Sequence, residues 1–159
     1  MKRYLTESVR ADLREKMVFL GGPRQVGKTT LSLSLIPGAD ESHPAYLSWD
    51  SPPSQRLLLS GGLPADQPLI ILDEIHKYRR WRNLVKGFYD RYKSRKEFLV
   101  TGSARLDHYR RGGDSLQGRY HYYRLHPLSL HELNRKPRPS DLETLLKYGG
   151  FPEPFLKQD

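Results

Sequence analysis

The sequence predicts an α/β fold with a mainly parallel sheet, and three observations support this prediction. Short apolar runs alternate along the chain with segments of helical periodicity. One run, residues 69–72, is almost wholly aliphatic, which is typical of a strand buried on both faces. Another run, residues 17–20, leads into a glycine-rich turn and then a helical segment. Strands and helices that alternate in this way favour a sheet covered by helices.

Each element follows from a local pattern. Leu5, Val9 and Leu13 form one apolar stripe, which indicates a first helix. Pro37 and Gly38 stop the helix that follows the glycine-rich turn. The predicted strands are residues 17–20, 45–49, 69–72, 98–100 and 120–125. The predicted helices are residues 6–16, 28–36, 52–59, 80–93 and 141–148.

The composition excludes several classes of protein and site. The 159 residues include no cysteine, which excludes disulfides, thiolate zinc sites, iron–sulfur clusters and cysteine nucleophiles. No apolar run approaches the roughly 20 residues of a membrane-spanning helix, and the N-terminus lacks the apolar segment of a signal peptide. The length suits one domain, or one domain plus a fragment of another. We therefore expect a cytoplasmic protein without a membrane partner.

Residues 22–29, GPRQVGKT, match the phosphate-binding pattern G-x-x-x-x-G-K-[ST] in full. Glycines let the backbone approach the phosphates, and the next helix directs its positive end toward them. Lys28 is expected to reach the β- and γ-phosphates, and the Thr29 hydroxyl to bind Mg²⁺. The predicted nucleotide-binding residues are Gly22, Pro23, Arg24, Gln25, Val26, Gly27, Lys28, Thr29 and Thr30.

A hydrophobic strand that ends in two carboxylates follows this loop. Asp73 is expected to hold Mg²⁺ through a water, opposite Thr29. Glu74 is expected to polarise the attacking water as a general base, a group that nucleotide kinases do not need. Guanine-specific proteins normally carry an [NT]-K-x-D stretch, which the sequence lacks, so ATP is the predicted nucleotide.

Three further side chains are candidate catalytic groups beside Lys28 and Glu74. Thr101 and Ser103 follow the next strand, where a hydroxyl could sense the γ-phosphate or align the water. A helix N-cap is the equal alternative for both. Arg119 precedes the last strand and could contact the γ-phosphate in its own subunit or in a neighbour's.

The charge of the chain, formally +9, is concentrated in residues 77–124. This region holds 14 Lys and Arg against four Asp and Glu, and Arg110 and Arg111 within it compete with Arg119 for the γ-phosphate. A solvated face is the alternative for any one of these arginines. We expect much of this charge to surround the nucleotide site, where it would balance ATP or face a neighbouring subunit. A nucleic-acid partner is the alternative.

These pieces together resemble a family of bacterial and archaeal AAA-like P-loop ATPases, in the additional-strand class related to AAA+ and STAND proteins. The segments that carry the resemblance are residues 22–31, 72–77, 101–104, 116–119, 125–133 and 149–153. It implies a three-layer P-loop NTPase sandwich with a mainly parallel five-stranded sheet and a central phosphate-loop strand. It also implies that Glu74 is the hydrolytic base, that Thr101 or Ser103 is the sensor, and that Arg119 contacts the γ-phosphate.

The resemblance also implies a domain boundary, because family members usually continue into a C-terminal domain. Residues 1–136 are the predicted ATPase core, and residues 137–159 the start of a truncated C-terminal region. The predicted function is a Mg²⁺-dependent ATPase module, weak in isolation, that couples nucleotide state to a partner of unknown identity; a homo-oligomer or a protein partner is the expectation for assembly. The alternatives are a nucleic-acid-binding module with a secondary nucleotide site and a small-molecule kinase.

Overall fold

Strands and helices alternate along the chain in the computed structural model, which describes residues 2–103, 106, 116–133 and 136–158. The strands are β1 (Met17–Gly21), β2 (Tyr46–Ser48), β3 (Leu69–Asp73), β4 (Glu97–Thr101) and β5 (Tyr120–Arg124). The helices are α1 (Thr6–Leu13), α2 (Lys28–Leu33), α3 (Pro52–Leu59), α4 (Trp81–Tyr92), α5 (Leu130–Leu133), α6 (Pro139–Tyr148) and α7 (Pro152–Lys157), with a 3₁₀ turn at Ile75–Lys77.

The five strands form one parallel sheet in the order β2-β3-β4-β1-β5. This arrangement confirms the predicted fold class and the expected number of strands. The resemblance implied that the phosphate-loop strand β1 is the central strand. In the structure β1 is an inner strand, but β4 occupies the centre and separates β1 from β3. We call the end of the sheet where the strands begin the amino edge, and the end where they finish the carboxyl edge.

Alternate side chains of the strands enter two hydrophobic clusters, one on each face of the sheet. Val18 and Leu20 of β1 pack with α1 and α2, whereas Met17 and Phe19 pack with α3 and α4. This alternation is the two-residue period of a strand, and it occurs in a strand that is buried on both faces. The three layers of the predicted sandwich are therefore present.

The helix ends differ from the predicted ones by a few residues. The prediction of helix over residues 52–59 is confirmed. The first two helices end three residues before the predicted positions, because their last turns form 3₁₀-type hydrogen bonds between residues three apart. Examples are Glu15 N–H to Asp12 O after α1, and Leu35 N–H to Ser32 O after α2. The short 3₁₀ turn, α5 and α7 were not predicted. No helix in the described ranges is both long and apolar enough to cross a membrane.

Candidate nucleotide-binding site

The phosphate loop, residues 22–29, joins β1 to α2 at the carboxyl edge of the sheet. Gly22 and Gly27 have φ angles of 149° and 92°, which glycine adopts without strain. A Cβ atom on Gly22 would lie 2.5 Å from the carbonyl oxygen of Leu125, so this path requires glycine. Gln25 also has a positive φ, of 61°. The backbone thus makes the tight curl in which successive N–H groups can face an anion.

Lys28 is buried at the mouth of this loop. Its Nζ donates to the carbonyl oxygens of Gly22 at 3.1 Å and of Pro23 at 2.6 Å. Burial lowers the pKa of Lys28, and this effect outweighs the opposing effect of the Glu74 and Asp73 carboxylates. The ammonium therefore lies between loop carbonyls and two acidic groups, where an incoming phosphate would favour its charged form.

Asp73, the last residue of β3, is also buried, and both of its carboxylate oxygens accept hydrogen bonds. The Tyr46 hydroxyl donates to Oδ2 at 2.5 Å, and the Thr101 hydroxyl donates to Oδ1. Thr101 lies directly across from Asp73 in the β3–β4 ladder. The structure thus brings Thr101 to the predicted site, with its hydroxyl on the carboxylate of Asp73.

Glu74 follows in the left-handed conformation, with φ 54° and ψ 18°, which is uncommon for a residue with a side chain. Its N–H donates to the carbonyl oxygen of Thr101 at 3.1 Å, which holds the turn. Its Oε2 lies 3.5 Å from Lys77 Nζ and 3.8 Å from His76 Nε2. Lys77 in turn contacts Asp50 at 2.6 Å. The turn therefore carries a 22% exposed carboxylate into the cleft.

Ser103 lies beside His76, with 3.3 Å between Ser103 Oγ and His76 Nε2. The imidazole packs so closely on Gly102 that a Cβ there would lie 2.6 Å from Nδ1. The same ring nitrogen of His76 faces both Ser103 and Glu74. Ser103 thus contacts the imidazole, whereas the 3.8 Å from the same nitrogen to Glu74 is too long for a hydrogen bond.

Lys28, Asp73 and Glu74 line one cleft of about 860 Å³ at the carboxyl edge, a volume in the range of small-molecule sites. Residues of the phosphate loop, the Asp73–Glu74 pair and the α7 helix meet across this cleft, whereas Thr101 and Ser103 do not line it. Its lining residues are Arg24, Gln25, Gly27, Lys28, Thr29, Thr30, Glu41, Asp73, Glu74, Lys77, Pro152, Glu153 and Leu156. The contribution of α7 was not predicted as part of the site, although residues 149–153 carried part of the resemblance.

Arg119 lies at the other edge of the sheet. It immediately precedes β5, whose Tyr120 pairs with Met17 at the start of β1. The Met17 N–H donates to the carbonyl oxygen of Arg119. The phosphate loop follows Gly21 at the far end of β1, about 15 Å away at about 3.3 Å per residue. The Arg119 side chain instead donates to Asp90 at 3.1 Å.

The expectation that Arg119 contacts the phosphate of its own chain therefore does not agree with the structure. β5 and β1 run in parallel, so Arg119, which precedes β5, lies a whole strand length from the phosphate loop, which follows β1. Contact with the nucleotide of a neighbouring subunit stays a prediction. Arg110 and Arg111 lie outside the described residues.

Arg3 was missed by the sequence analysis, although it supports the phosphate loop directly. Its side chain is 7% exposed and donates to the carbonyl oxygens of Val26 at 2.7 Å and His126 at 2.6 Å. A third bond, from Nε, reaches Glu132 at 2.7 Å. No local pattern indicates this contact, because the two partners of the ion pair stand 129 positions apart.

The basic region divides between the two edges. Lys77 lines the cleft, but Lys93, Arg95 and Lys96 line a separate cavity of about 430 Å³ at the amino edge. Residues from the other end of the chain, including Arg14 and Lys16, line the same cavity. The expectation that the charge surrounds the nucleotide site therefore does not hold for these residues.

Comparison with solved structures identifies the architecture. A Signal Transduction ATPase with Numerous Domains (STAND) protein with a tetratricopeptide repeat sensor, from Pyrococcus horikoshii, matches with a TM-score of 0.55 and 14% identity. The match covers 96% of this chain and 28% of that one, so this chain corresponds to a minor part of the longer protein. At this identity the similarity concerns the fold.

Comparison with protein families identifies the family. A search of curated proteins found no match. A family model described as an AAA domain matches residues 14–134, which include the phosphate loop, Asp73, Glu74 and the basic region. The matched range is more than half of the chain. The chain therefore belongs to this family of AAA-like P-loop ATPase domains.

Proposed function

We propose that this AAA domain binds ATP with Mg²⁺, hydrolyses it, and couples its nucleotide state to a partner. The observation that carries the proposal is the meeting of Lys28 and Thr29 with Asp73 and Glu74 across one cleft. Each of the four residues comes from a motif that suggests the same chemistry, and the fold brings both motifs to one edge.

The donor set fits magnesium. The Thr29 hydroxyl and the Asp73 carboxylate supply oxygen, which Mg²⁺ prefers, and this ion usually takes its other ligands from phosphates and water. The described residues hold no cluster of three or more His, Asp or Glu that could bind a metal alone. When bound, Mg²⁺ neutralises charge on the phosphate oxygens.

The side chains divide the remaining work. Lys28 keeps a positive charge at the loop, and Arg24 adds a second one at the cleft wall. Glu74 is the carboxylate that accepts a proton from the attacking water, since it is exposed to the cleft and follows the buried Asp73. Thr101 fixes Asp73, and Ser103 contacts His76, which lies beside Glu74.

The α7 helix supports the coupling part of the proposal. Pro152 and Leu156 line the nucleotide cleft and also an adjoining, more apolar cavity of about 240 Å³ beside Gly27 and Leu31. An apolar wall next to a phosphate loop suits the base or sugar of a nucleotide. A bound nucleotide would then contact α7 directly, so α7 is the element that we expect to respond to nucleotide state.

Calorimetric titration with ATP and Mg²⁺ tests binding. Lys28→Ala should lose at least about 10-fold in affinity, because it removes a charge-assisted contact worth about 1.5–3 kcal/mol. Lys147→Ala, which removes one exposed lysine from α6, is the matched control and should bind like the wild type. Equal affinities in the wild type and Lys28→Ala would contradict the proposal.

Phosphate release tests hydrolysis separately. Glu74→Gln should keep ATP affinity and reduce turnover by about 100-fold or more, which is the usual contribution of a general base. Glu143→Gln on α6 makes the same chemical change at an exposed position and should leave turnover unchanged. Unchanged turnover in Glu74→Gln would remove Glu74 as the base and leave the binding proposal intact.

A second candidate function, nucleic-acid binding, is favoured by the cavity at the amino edge. Arg14, Lys16, Lys93 and Arg95 line it, and none of their side chains forms an ion pair within the described part of the chain. Fluorescence anisotropy with a single-stranded oligonucleotide would show a log–log salt slope of about −0.7 per phosphate contacted. Arg95→Glu should weaken binding, and Lys147→Glu should not. Binding that is absent or independent of salt would eliminate this candidate.

A further inference from the structure

Asp73 is held from both sides by hydroxyl groups of the two neighbouring strands. Thr101 of β4 faces it directly across the ladder. Tyr46 of β2 pairs with Ile71, two residues earlier, so its side chain lies on the same face and must reach diagonally along the strands. A long aromatic side chain can span this diagonal. The result is one hydroxyl donor on each carboxylate oxygen.

The Tyr46 hydroxyl also lies near enough to the Thr29 hydroxyl of the phosphate loop to influence it electrostatically. A single phenol therefore bonds one of the two residues that the proposed function assigns to magnesium, Asp73, and lies near the other, Thr29. Tyr46 is half-buried and packs against the core cluster that includes Val18 and Leu20, so its ring is anchored. A donor fixed in this way restricts the rotation of the carboxylate it binds.

We propose that Tyr46 is a positioning residue for the magnesium side of the nucleotide site. Its hydroxyl holds Oδ2 of Asp73 while Thr101 holds Oδ1, so the carboxylate presents its remaining lone pairs toward Thr29 in one orientation. The inference rests on the proposed function, because it concerns the same cleft. Groups that orient a metal-binding carboxylate typically change metal affinity by about 10- to 100-fold when they are removed.

Magnesium and calcium respond differently to such a loss. Mg²⁺ demands near-ideal octahedral geometry, whereas Ca²⁺ tolerates irregular and variable coordination. Loosening the Asp73 carboxylate should therefore weaken Mg²⁺-dependent nucleotide binding more than Ca²⁺-dependent binding. A residue that only stabilised the fold would change both to the same extent.

The experiment measures the affinity of a fluorescent, slowly hydrolysed ATP analogue with EDTA, with Mg²⁺ and with Ca²⁺. Tyr46→Phe should bind the analogue like the wild type in EDTA. The factor by which Mg²⁺ raises the affinity, called the Mg²⁺ gain, should fall about 10-fold or more in this variant. The corresponding Ca²⁺ gain should fall less. Thr101→Val should show the same pattern. Tyr123→Phe is the matched control, because this half-buried tyrosine packs on the same cluster and donates to Asp12 at 2.6 Å away from the cleft.

The outcomes separate this inference from the proposed function. A wild-type protein that binds no analogue in any condition would overturn both. A normal Mg²⁺ gain in Tyr46→Phe, equal to that of the wild type and Tyr123→Phe, would overturn only the role of Tyr46. A larger Mg²⁺ gain would overturn it as well, since the phenol would then obstruct the metal. Thermal unfolding of the three variants checks that each is folded.

Discussion

The carboxyl edge and the amino edge of the sheet differ in how their charged side chains are held. At the carboxyl edge, Lys28 and Asp73 are buried, and each accepts or donates at least two hydrogen bonds. At the amino edge, Arg14 and Arg95 are exposed and, among the described residues, form no ion pair, although Arg119 pairs with Asp90 and Lys96 donates to three loop carbonyls. Charges that are buried lose hydration and need defined partners, whereas exposed charges do not.

The difference teaches that net charge along the sequence is a poor guide to the site. The most basic region contributes Lys77 to the cleft but places other lysines and arginines at the opposite edge. The side chains that shape the cleft are few, buried and linked by hydrogen bonds. The following four changes test this contrast, from the largest expected effect to the smallest.

The largest effect is expected for Arg3, whose ion pair with Glu132 is buried on both sides. Arg3→Met leaves the Glu132 carboxylate without its cation and should lower the free energy of unfolding by about 3–5 kcal/mol, measured by urea denaturation. Lys2→Met is the matched control, because the Lys2–Glu7 pair is about two-thirds exposed. A near-wild-type Arg3→Met would show that this ion pair does not hold the loop.

The next change compares two glycines with positive φ. A Cβ atom added to Gly22 would lie 2.5 Å from the carbonyl oxygen of Leu125. A Cβ atom added to Gly118, which lies at the amino edge with φ 78°, would have no other atom within 4 Å. Gly22→Ala should therefore destabilise the protein by about 1–3 kcal/mol more than Gly118→Ala, because only the first adds a clash. Urea denaturation of both variants measures the difference, and equal values would contradict it.

How far the sequence could predict these features depends on how local they are. The phosphate loop and Asp73–Glu74 are contiguous motifs, and their elements were predicted within a few residues. The contacts of Tyr46 with Asp73 and of Arg3 with Glu132 join distant positions, so no spacing rule could indicate them. The prediction for Arg119 is wrong for its own chain because, in a parallel sheet, a residue that precedes a strand lies at the amino edge, away from the phosphate loop.

The third change uses pH. Burial opposes ionisation of Glu132, but bonds from Arg3, Tyr4 and Ser129 outweigh it, so the net effect is a lowered pKa in the folded state. A lowered pKa means that the stabilisation is present above the ordinary value of 4.5 and is lost as the pH falls through the folded value. Urea denaturation from neutral to acid pH should show a smaller loss of stability for Glu132→Gln than for the wild type.

The control for this change is Glu153→Gln, because Glu153 also has a lowered pKa, caused by Lys157, but is exposed. Its acid dependence should stay close to that of the wild type. If the free energy of unfolding fell equally steeply with pH in the wild type and in Glu132→Gln, other carboxylates would dominate acid unfolding.

The smallest effect on a single chain is expected at Arg119. Its contact with Asp90 is more than one-third exposed on both sides, so Arg119→Ala should change stability by no more than about 1 kcal/mol. ATP affinity should also stay unchanged, because the side chain lies a strand length from its own phosphate loop.

If Arg119 serves a neighbour's nucleotide, turnover in Arg119→Ala should fall at protein concentrations where the wild type assembles. Mixing Arg119→Ala with Glu74→Gln should then restore part of the turnover, since one interface would combine an intact base with an intact arginine. Turnover that does not change in Arg119→Ala at any concentration would leave the amino edge without a part in the reaction, and the contrast between the two edges would be complete.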